Sequence, residues 1–235
     1  DRMDYLQRDA FFSGVSYGQF DQLWLLENLR VHVAGDRALL ALTKRAQFAF
    51  EDFLLSRYHM FVSVYLHRIP VGYESMLARF YAERPEEFPI PGDPEAYLRV
   101  DDVALWVALR ASDCPWARRI VQREGFSVAL ELTTPGESVD LVAAGEALRA
   151  EGIEHFVSRT TGMLRKPRGA GDLPIYVVDR GLDRVQPIDE SSRIFERYAQ
   201  PAPLLRVYVP PEQKERARQV LRSVSGLGEG DDTMP

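Results

Sequence analysis

The chain has 235 residues, of which 46% are hydrophobic and 27% are charged, a composition typical of a globular protein with one large core or two smaller ones. Its net charge of −6 at pH 7 argues against a general nucleic-acid binder but allows a local basic pocket. The single cysteine, Cys114, excludes an internal disulfide and is typical of a reducing compartment. No apolar run approaches the roughly 18 residues that a membrane span needs, so the sequence predicts a cytoplasmic protein.

The first nine residues have the spacing of a helix that places Asp1, Tyr5 and Asp9 on one face, four residues apart. A carboxylate, a phenol and a second carboxylate would then follow each other over about 12 Å, close to the length of a nucleoside polyphosphate. An ordinary solvated helix surface with one partly buried tyrosine fits the same spacing. Asp4 and Arg8, one turn apart, are expected to pair.

Apolar periodicity predicts further helices through the first half of the chain, with one short strand after the first of them. These helices are expected at 20–29, 43–69, 74–81, 97–109 and 115–123. Residues 30–33 form the predicted strand, and residues 37–40 form either its hairpin partner or the start of the next helix. Pro70 is expected to end the long helix.

From residue 126 the pattern changes to strands that alternate with helices. Strands are expected at 127–132, 156–159, 175–178, 183–186 and 205–209, and helices at 141–150, 191–198 and 210–224. Units of this size are typical of a small ferredoxin-like or similar subdomain. The sequence therefore predicts a mostly α fold followed by a small α+β subdomain, with domains over 1–124 and 125–224 and a disordered tail over 225–235.

The long helix carries Arg57, Phe61 and Tyr65 on one face at four-residue spacing. Because this helix is apolar nearly all round, we expect Arg57 to be buried, and a buried guanidinium needs a partner. A salt bridge to Glu51, Asp52 or a carboxylate of the first helix is one explanation. The other is that Arg57 binds a phosphate, which suits its planar donor geometry.

The sequence Asp-Arg-Met-Asp-Tyr-Leu-x-Arg-Asp at residues 1–9, followed by Gly14-Val15 and Phe20-Asp21, resembles the last metal-ligand motif of the HD-domain phosphohydrolases. It is most similar to the branch that hydrolyses dNTPs, which has mammalian and bacterial members. The resemblance continues through the helix at 51–68 and, more weakly, to about residue 224. It implies that the helical part belongs to an HD-type helical domain.

The resemblance implies a role for individual positions of this chain. Asp1 matches the last aspartate of a metal set of two histidines and two aspartates, which holds a divalent ion (Mn, Fe, Mg, Zn or Ni). Arg2 and Arg57 match residues that contact the triphosphate. The positions that match residues holding the nucleoside are Tyr5, Asp9 and Tyr65.

The other metal ligands of the family have no counterpart among the four histidines, since the sequence contains no His-Asp dipeptide. We therefore expect an upstream HD segment, absent from this sequence, to supply them. On this view the chain is the C-terminal portion of a larger protein and is inactive by itself.

A second nucleotide pocket is suggested more weakly by Arg45, His67 and Arg68. These match basic positions of an allosteric pocket that lies between subunits in a relative. Trp24 stands where that relative has an arginine that holds the regulatory nucleotide, which argues against this mode of activation. A cation near the end of a helix explains His67 and Arg68 equally well.

The function that the resemblance implies is hydrolysis of a dNTP to deoxynucleoside and triphosphate by a homo-oligomer. One alternative is a catalytically inactive nucleotide-sensing or oligomerisation module, which the missing histidine ligands favour. Another is an HD phosphohydrolase that acts on a different phosphoester. The sequence lacks the GxxxxGK[ST], GxGxxG, GxSxG and CxxC motifs, so P-loop, dinucleotide and triad chemistries have no support.

Overall fold

The computed structural model describes residues 1–132, 139–160, 175–192, 194 and 204–225. The chain divides into two compact units, Asp1–Leu66 with Thr161–Pro203 and His67–Thr160 with Leu204–Pro235. The predicted domain boundary near residue 125 lies inside the second unit. Helices predominate and two small sheets accompany them, which confirms the predicted fold class.

The elements are numbered in chain order. The described helices are α1 (Arg2–Ser13), α2 (Gln22–Glu27), α3 (Gln47–Met60), α4 (Arg68–Glu83), α5 (Pro94–Tyr97), α6 (Asp102–Ala111), α7 (Pro115–Gln122), α8 (Leu141–Ala150), α9 (Ile188–Ser191) and α10 (Lys214–Ser225). The described strands are β1 (Leu29–Ala34), β2 (Arg37–Thr43), β3 (Ser127–Leu132), β4 (Phe156–Thr160), β5 (Tyr176–Asp179), β6 (Arg184–Pro187) and β7 (Leu204–Val209). Short 3-10 helices lie at Lys44–Ala46 and Pro211–Gln213, and a π-helical turn lies at Phe61–Tyr65.

The sheet of the first unit has the strand order β1-β2-β5-β6. Strands β1 and β2 form an antiparallel hairpin around Gly35, so residues 37–40 are the hairpin partner rather than the start of a helix. Strand β5 pairs in parallel with β2, with Ala41 opposite Tyr176, and β6 pairs antiparallel with β5. The sequence predicted the hairpin of β5 and β6 and offered that of β1 and β2 as one of two alternatives. It did not predict the pairing between the hairpins, because that pairing joins segments more than 130 residues apart.

The core of the first unit lies between α1, α2, α3 and the sheet. Each element contributes an apolar side chain that is almost completely excluded from solvent: Leu6, Leu25, Leu42, Met60 and Val177. Full burial of such a side chain contributes roughly 1.5–3 kcal/mol to folding. This core fixes the positions of α1 and α3, the two helices that carry the candidate site.

The loop after α1 holds this helix against the rest of the unit. An ideal Cβ on Gly18 would lie 2.5 Å from the carbonyl oxygen of Leu6 and 2.7 Å from Cβ of Ala10, so only glycine fits there. Next to it, the Ser56 hydroxyl on α3 donates to the carbonyl oxygen of Gln19 at 2.9 Å. The loop therefore connects α1 to α3 by close packing and by a hydrogen bond.

The second unit contains the three-stranded antiparallel sheet β3-β7-β4, with α8 and α10 packed against it. Strand β7 lies between β3 and β4, which are joined by α8. This is the split β-α-β arrangement of ferredoxin-like folds, in agreement with the predicted subdomain. Leu148 on α8, Val207 on β7 and Leu221 on α10 are buried together in its core.

The prediction of one continuous helix over 43–69 is wrong. Helix α3 ends at Met60, the π-helical turn follows, and α4 begins at Arg68. Pro70 lies in the first turn of α4, where its missing N–H costs nothing, so it accompanies the start of a helix and does not end one. Nδ1 of His67 accepts a hydrogen bond from the Ile69 N–H at 3.4 Å as the N-cap of α4.

Other boundaries differ by a few residues. The predicted helix over 20–29 is the shorter α2, which Asp21 caps by accepting from the Trp24 N–H at 2.9 Å. Most of the predicted helix over 191–198, and the predicted tail beyond Ser225, lie outside the described residues. Among the residues that are described, every helix is too short or too polar to cross a membrane.

Candidate functional site

Helix α1 presents the predicted face. Its N-cap Asp1 and the adjacent Arg2 are exposed, Tyr5 and Asp9 are half-buried, and Leu6 faces the core. The Asp4 and Arg8 side chains pair at 3.0 Å in solvent, so these charges are occupied with each other away from that face.

The π-helical turn brings Tyr65 to this face. Its hydroxyl donates to Oδ2 of Asp9 at 2.7 Å, and its ring meets that of Tyr5 edge to face with 6.1 Å between centroids. Burial raises the pKa of the Tyr65 phenol well above its ordinary value, and the hydrogen bond to Asp9 raises it further. The structure thus joins three predicted nucleoside-binding residues in one cluster.

Arg57 lies beside this cluster and is only 7% exposed. Among the described residues, no group forms a hydrogen bond with its Nε and no carboxylate pairs with it. Burial lowers the pKa of the Arg57 guanidinium, the nearby Arg2 cation lowers it further, and the Tyr5 phenol opposes the shift. The guanidinium carbon lies 5.3 Å from the centre of the Phe61 ring.

Arg57 does not form the predicted salt bridge with Glu51, Asp52 or a carboxylate of α1. Glu51 is buried and accepts a hydrogen bond from Nε2 of Gln47 at 3.0 Å. The same Gln47 amide also donates to the carbonyl oxygen of Ser191 at 2.8 Å. Glu51 is therefore part of the packing between α3 and the end of α9, and within the described ranges Arg57 is a buried cation with no carboxylate paired to it.

The π-helical turn explains how Arg57 and Tyr65 face the same side. Eight α-helical steps would rotate Tyr65 about 80° past the direction of Arg57. In this turn the Leu66 N–H donates to the carbonyl oxygen of Phe61, five residues back, at 2.7 Å. Because the π-helical turn holds one residue more than an α-helical turn, the chain from Arg57 to Tyr65 rotates by the equivalent of seven α-helical steps. This rotation ends about 20° short of two full turns, so the two side chains lie on the same side.

A metal centre needs more ligands than the described residues provide. Within those ranges no three His, Cys, Asp or Glu side chains are grouped so that they could hold a metal ion. Asp1 offers a single exposed carboxylate at the end of α1. The histidines that could complement it are used elsewhere: His32 lies against Tyr176, and His59 lies against Tyr17 and Tyr58. The residues present do not form a complete metal site.

The residues of the predicted allosteric pocket fall in different units. Arg45 is exposed in the 3-10 helix of the first unit, whereas His67 and Arg68 belong to the second. Arg68 lines a cavity of about 360 Å³ together with Arg123 and Lys214, and no acidic side chain of the described residues lines it. The sequence did not predict that Arg123 and Lys214 belong to this site. No short sequence pattern can relate them to Arg68, because the three cations are 55 and 91 residues apart.

Comparison with known proteins identifies the class. Residues 20–164 match the model of the HD-associated region, so the chain belongs to this family of HD-domain proteins. The chain is also 39% identical over 79 residues to the uncharacterized protein YwfO of Bacillus subtilis. A second relative, an uncharacterized protein of Methanocaldococcus jannaschii, is 29% identical over 123 residues. These segments cover 34% and 52% of this chain but 17% and 27% of the two relatives.

Two solved structures share the fold. A hypothetical protein from Aquifex aeolicus is 28% identical, with a TM-score of 0.71 over 94% of this chain. A phosphohydrolase from Bacteroides thetaiotaomicron is 24% identical, with a TM-score of 0.60 over 88% of this chain. The chain spans 56% and 60% of these two proteins, little more than half of each.

Proposed function

We propose that this chain forms the nucleotide-binding wall of an HD-family phosphohydrolase, which in the intact protein converts a dNTP to deoxynucleoside and triphosphate. One observation carries the proposal: Arg57 is buried on the site face of α3 with Arg2 nearby and with no carboxylate partner in the described chain. The name of the Bacteroides thetaiotaomicron neighbour supports phosphohydrolase chemistry, and the motif at residues 1–9 supports the dNTP branch.

The triphosphate would bind to Arg57 and Arg2. A buried guanidinium without an anion is costly, and two cations close together add to that cost. Both costs disappear when an anion with several oxygens lies between them, since a planar guanidinium can donate two parallel hydrogen bonds to a phosphate. The arrangement is therefore suited to a polyanion and poorly suited to an empty, dry interior.

The sugar would bind to the tyrosine and aspartate cluster. Asp9 uses Oδ2 to accept from Tyr65, and no other described group donates to it. Its second oxygen would accept a hydrogen bond from the 3′-hydroxyl, while the Tyr5 ring would crowd the 2′ position and favour deoxyribose. Tyr65 would hold Asp9 in place for this contact.

Asp1 would supply one ligand to a divalent metal ion whose remaining ligands come from a segment outside this sequence. Such an ion polarises a phosphoryl oxygen and lowers the pKa of a bound water. Because the described residues do not complete the site, we assign to this chain only the binding of phosphate and sugar and the one carboxylate ligand.

The test is a product assay on the intact protein with dNTPs, NTPs and nucleoside monophosphates. Arg57→Gln should lower kcat/KM by roughly 10- to 100-fold, since a charge-assisted hydrogen bond to phosphate is lost. Asp1→Ala should abolish triphosphate release. The control is Arg8→Gln, which removes an exposed cation of the same helix and should leave turnover unchanged. Full activity of both Arg57→Gln and Asp1→Ala would remove this face from the active site, and turnover of monophosphates alone would replace the substrate class.

The cavity beside Arg68 supports a second proposal, that the chain also binds a regulatory nucleotide. Around this cavity of about 360 Å³ the described residues supply three cations and no acid, which suits a phosphorylated ligand. The native protein should bind two equivalents of a non-hydrolysable nucleoside triphosphate, of which Arg123→Gln should lose one and Arg57→Gln the other. A single equivalent in the native protein that either variant abolishes would assign the nucleotide to one site, and two equivalents in Arg123→Gln would exclude this cavity.

A further inference from the structure

A separate cavity lies in the second unit, between α8 and the sheet. It has a volume of about 210 Å³ and is partly open to solvent, and most of its lining residues are apolar, including the buried Leu148, Phe156 and Val207. Two polar side chains also line it, Arg149 on α8 and His155 next to β4. An apolar pocket with a few convergent polar groups is the usual form of a small-molecule site.

The hydrogen bonding of His155 leaves one nitrogen for a ligand. Nδ1 lies 3.0 Å from the carbonyl oxygen of Ile153, and a carbonyl oxygen only accepts, so Nδ1 carries a proton. Nε2 is then free to accept a hydrogen bond when the ring is neutral and to donate one when it is protonated. Arg149 is exposed and forms no ion pair or side-chain hydrogen bond with any described residue, so its donors can exchange water for a ligand.

Both groups converge over Gly145. An ideal Cβ at this glycine would lie 3.4 Å from Nε2 of His155 and 3.5 Å and 3.8 Å from Nη1 and Nη2 of Arg149. The nearest neighbours are thus the tips of two side chains and no backbone, and the backbone of Gly145 is helical with negative φ. Packing therefore does not require glycine here, although glycine costs a helix about 1 kcal/mol relative to alanine.

We infer that this cavity binds a small carboxylic acid, with the carboxylate between Arg149 and His155 over Gly145 and a short apolar chain against Leu148, Phe156 and Val207. Both groups lie within 4 Å of the same point over Gly145, so Arg149 can donate to one carboxylate oxygen and His155, with its ring protonated, can donate from Nε2 to the other. A water molecule occupies about 30 Å³ of liquid, so the cavity holds roughly seven non-hydrogen atoms. Inorganic phosphate could pair with Arg149, but it has no apolar part to contact the apolar residues of the cavity.

The experiment is a ¹H–¹⁵N NMR titration of the protein with sodium pentanoate, because about seven atoms give affinities near the millimolar range. Binding should shift the amide signals of Ala144, Gly145 and Leu148. Pentanol has the same chain without the charge and should bind at least about tenfold more weakly. Equal binding of pentanol, or competition by inorganic phosphate, would overturn the assignment of a carboxylate with an apolar chain.

Two variants locate the site. Gly145→Ala places a methyl group where the nitrogen groups of Arg149 and His155 converge. It should weaken pentanoate binding at least about tenfold without lowering the midpoint of thermal unfolding. Arg149→Gln should weaken it similarly, whereas Arg222→Gln, a matched exposed position on α10, should not. No pentanoate shifts in the native protein, or native affinity in Gly145→Ala with the fold intact, would overturn the inference.

Discussion

The hydrogen bond between Tyr65 and Asp9 gives the most direct test of the site geometry. Tyr65→Phe removes only the hydroxyl that donates to Oδ2 of Asp9 at 2.7 Å and keeps the ring contact with Tyr5. A hydrogen bond to a charged group contributes about 1.5–3 kcal/mol when buried. Because both side chains are half-buried and water can replace the phenol, we expect a coupling of about 1 kcal/mol here, equivalent to about fivefold in an equilibrium constant.

The assay is a double-mutant cycle of Tyr65→Phe and Asp9→Ala, followed by urea unfolding of the protein. Tyr17→Phe is the matched control, since the Tyr17 hydroxyl makes no hydrogen bond with the described residues and its loss should change the free energy of unfolding little. A coupling energy below about 0.3 kcal/mol between Tyr65 and Asp9 would show that the two groups do not interact, and the sugar cluster would fail with it.

Three further outcomes are expected. Gly18→Ala should lower the free energy of unfolding by more than about 2 kcal/mol, because its Cβ would overlap the backbone of α1; unchanged urea unfolding would contradict the packing of that loop. Deleting Ser63 should convert the π-helical turn to α-helix and leave Tyr65 seven α-helical steps after Arg57, the same direction as in the native turn, so the Tyr65→Phe effect should persist in that background; the control is Ser63→Ala, and loss of the effect in the deletion would refute the realignment. Because folding raises the pKa of the Tyr65 phenol, the contribution of this phenol to the free energy of unfolding is present below the ordinary tyrosine pKa near 10 and is lost as the pH rises above it. The native protein should therefore lose stability relative to Tyr65→Phe as pH rises through that range, and urea unfolding that shows the same difference at all pH values would argue against a buried phenol.

The helical periodicity of the sequence predicted much of the local structure. The face with Asp1, Tyr5 and Asp9, the hairpin of β5 and β6, and the strands of the mixed region follow from patterns within about ten residues, whereas the hairpin of β1 and β2 is one of two alternatives that the pattern allows. Such patterns work because the hydrogen bonds of a helix or hairpin join near neighbours, and because one buried face imposes a regular apolar spacing. The motif at residues 1–9 also predicted the HD family to which the comparisons assign the chain.

The tertiary structure decided the features that give the site its chemistry. The parallel pairing of β2 with β5 and the burial of Arg57 without a carboxylate depend on which distant segments meet. The π-helical turn depends on packing that outweighs the better hydrogen bonds of an α-helix, so no local pattern predicts it. The same holds for Arg149, His155 and Gly145, which converge only because α8 folds back onto the sheet.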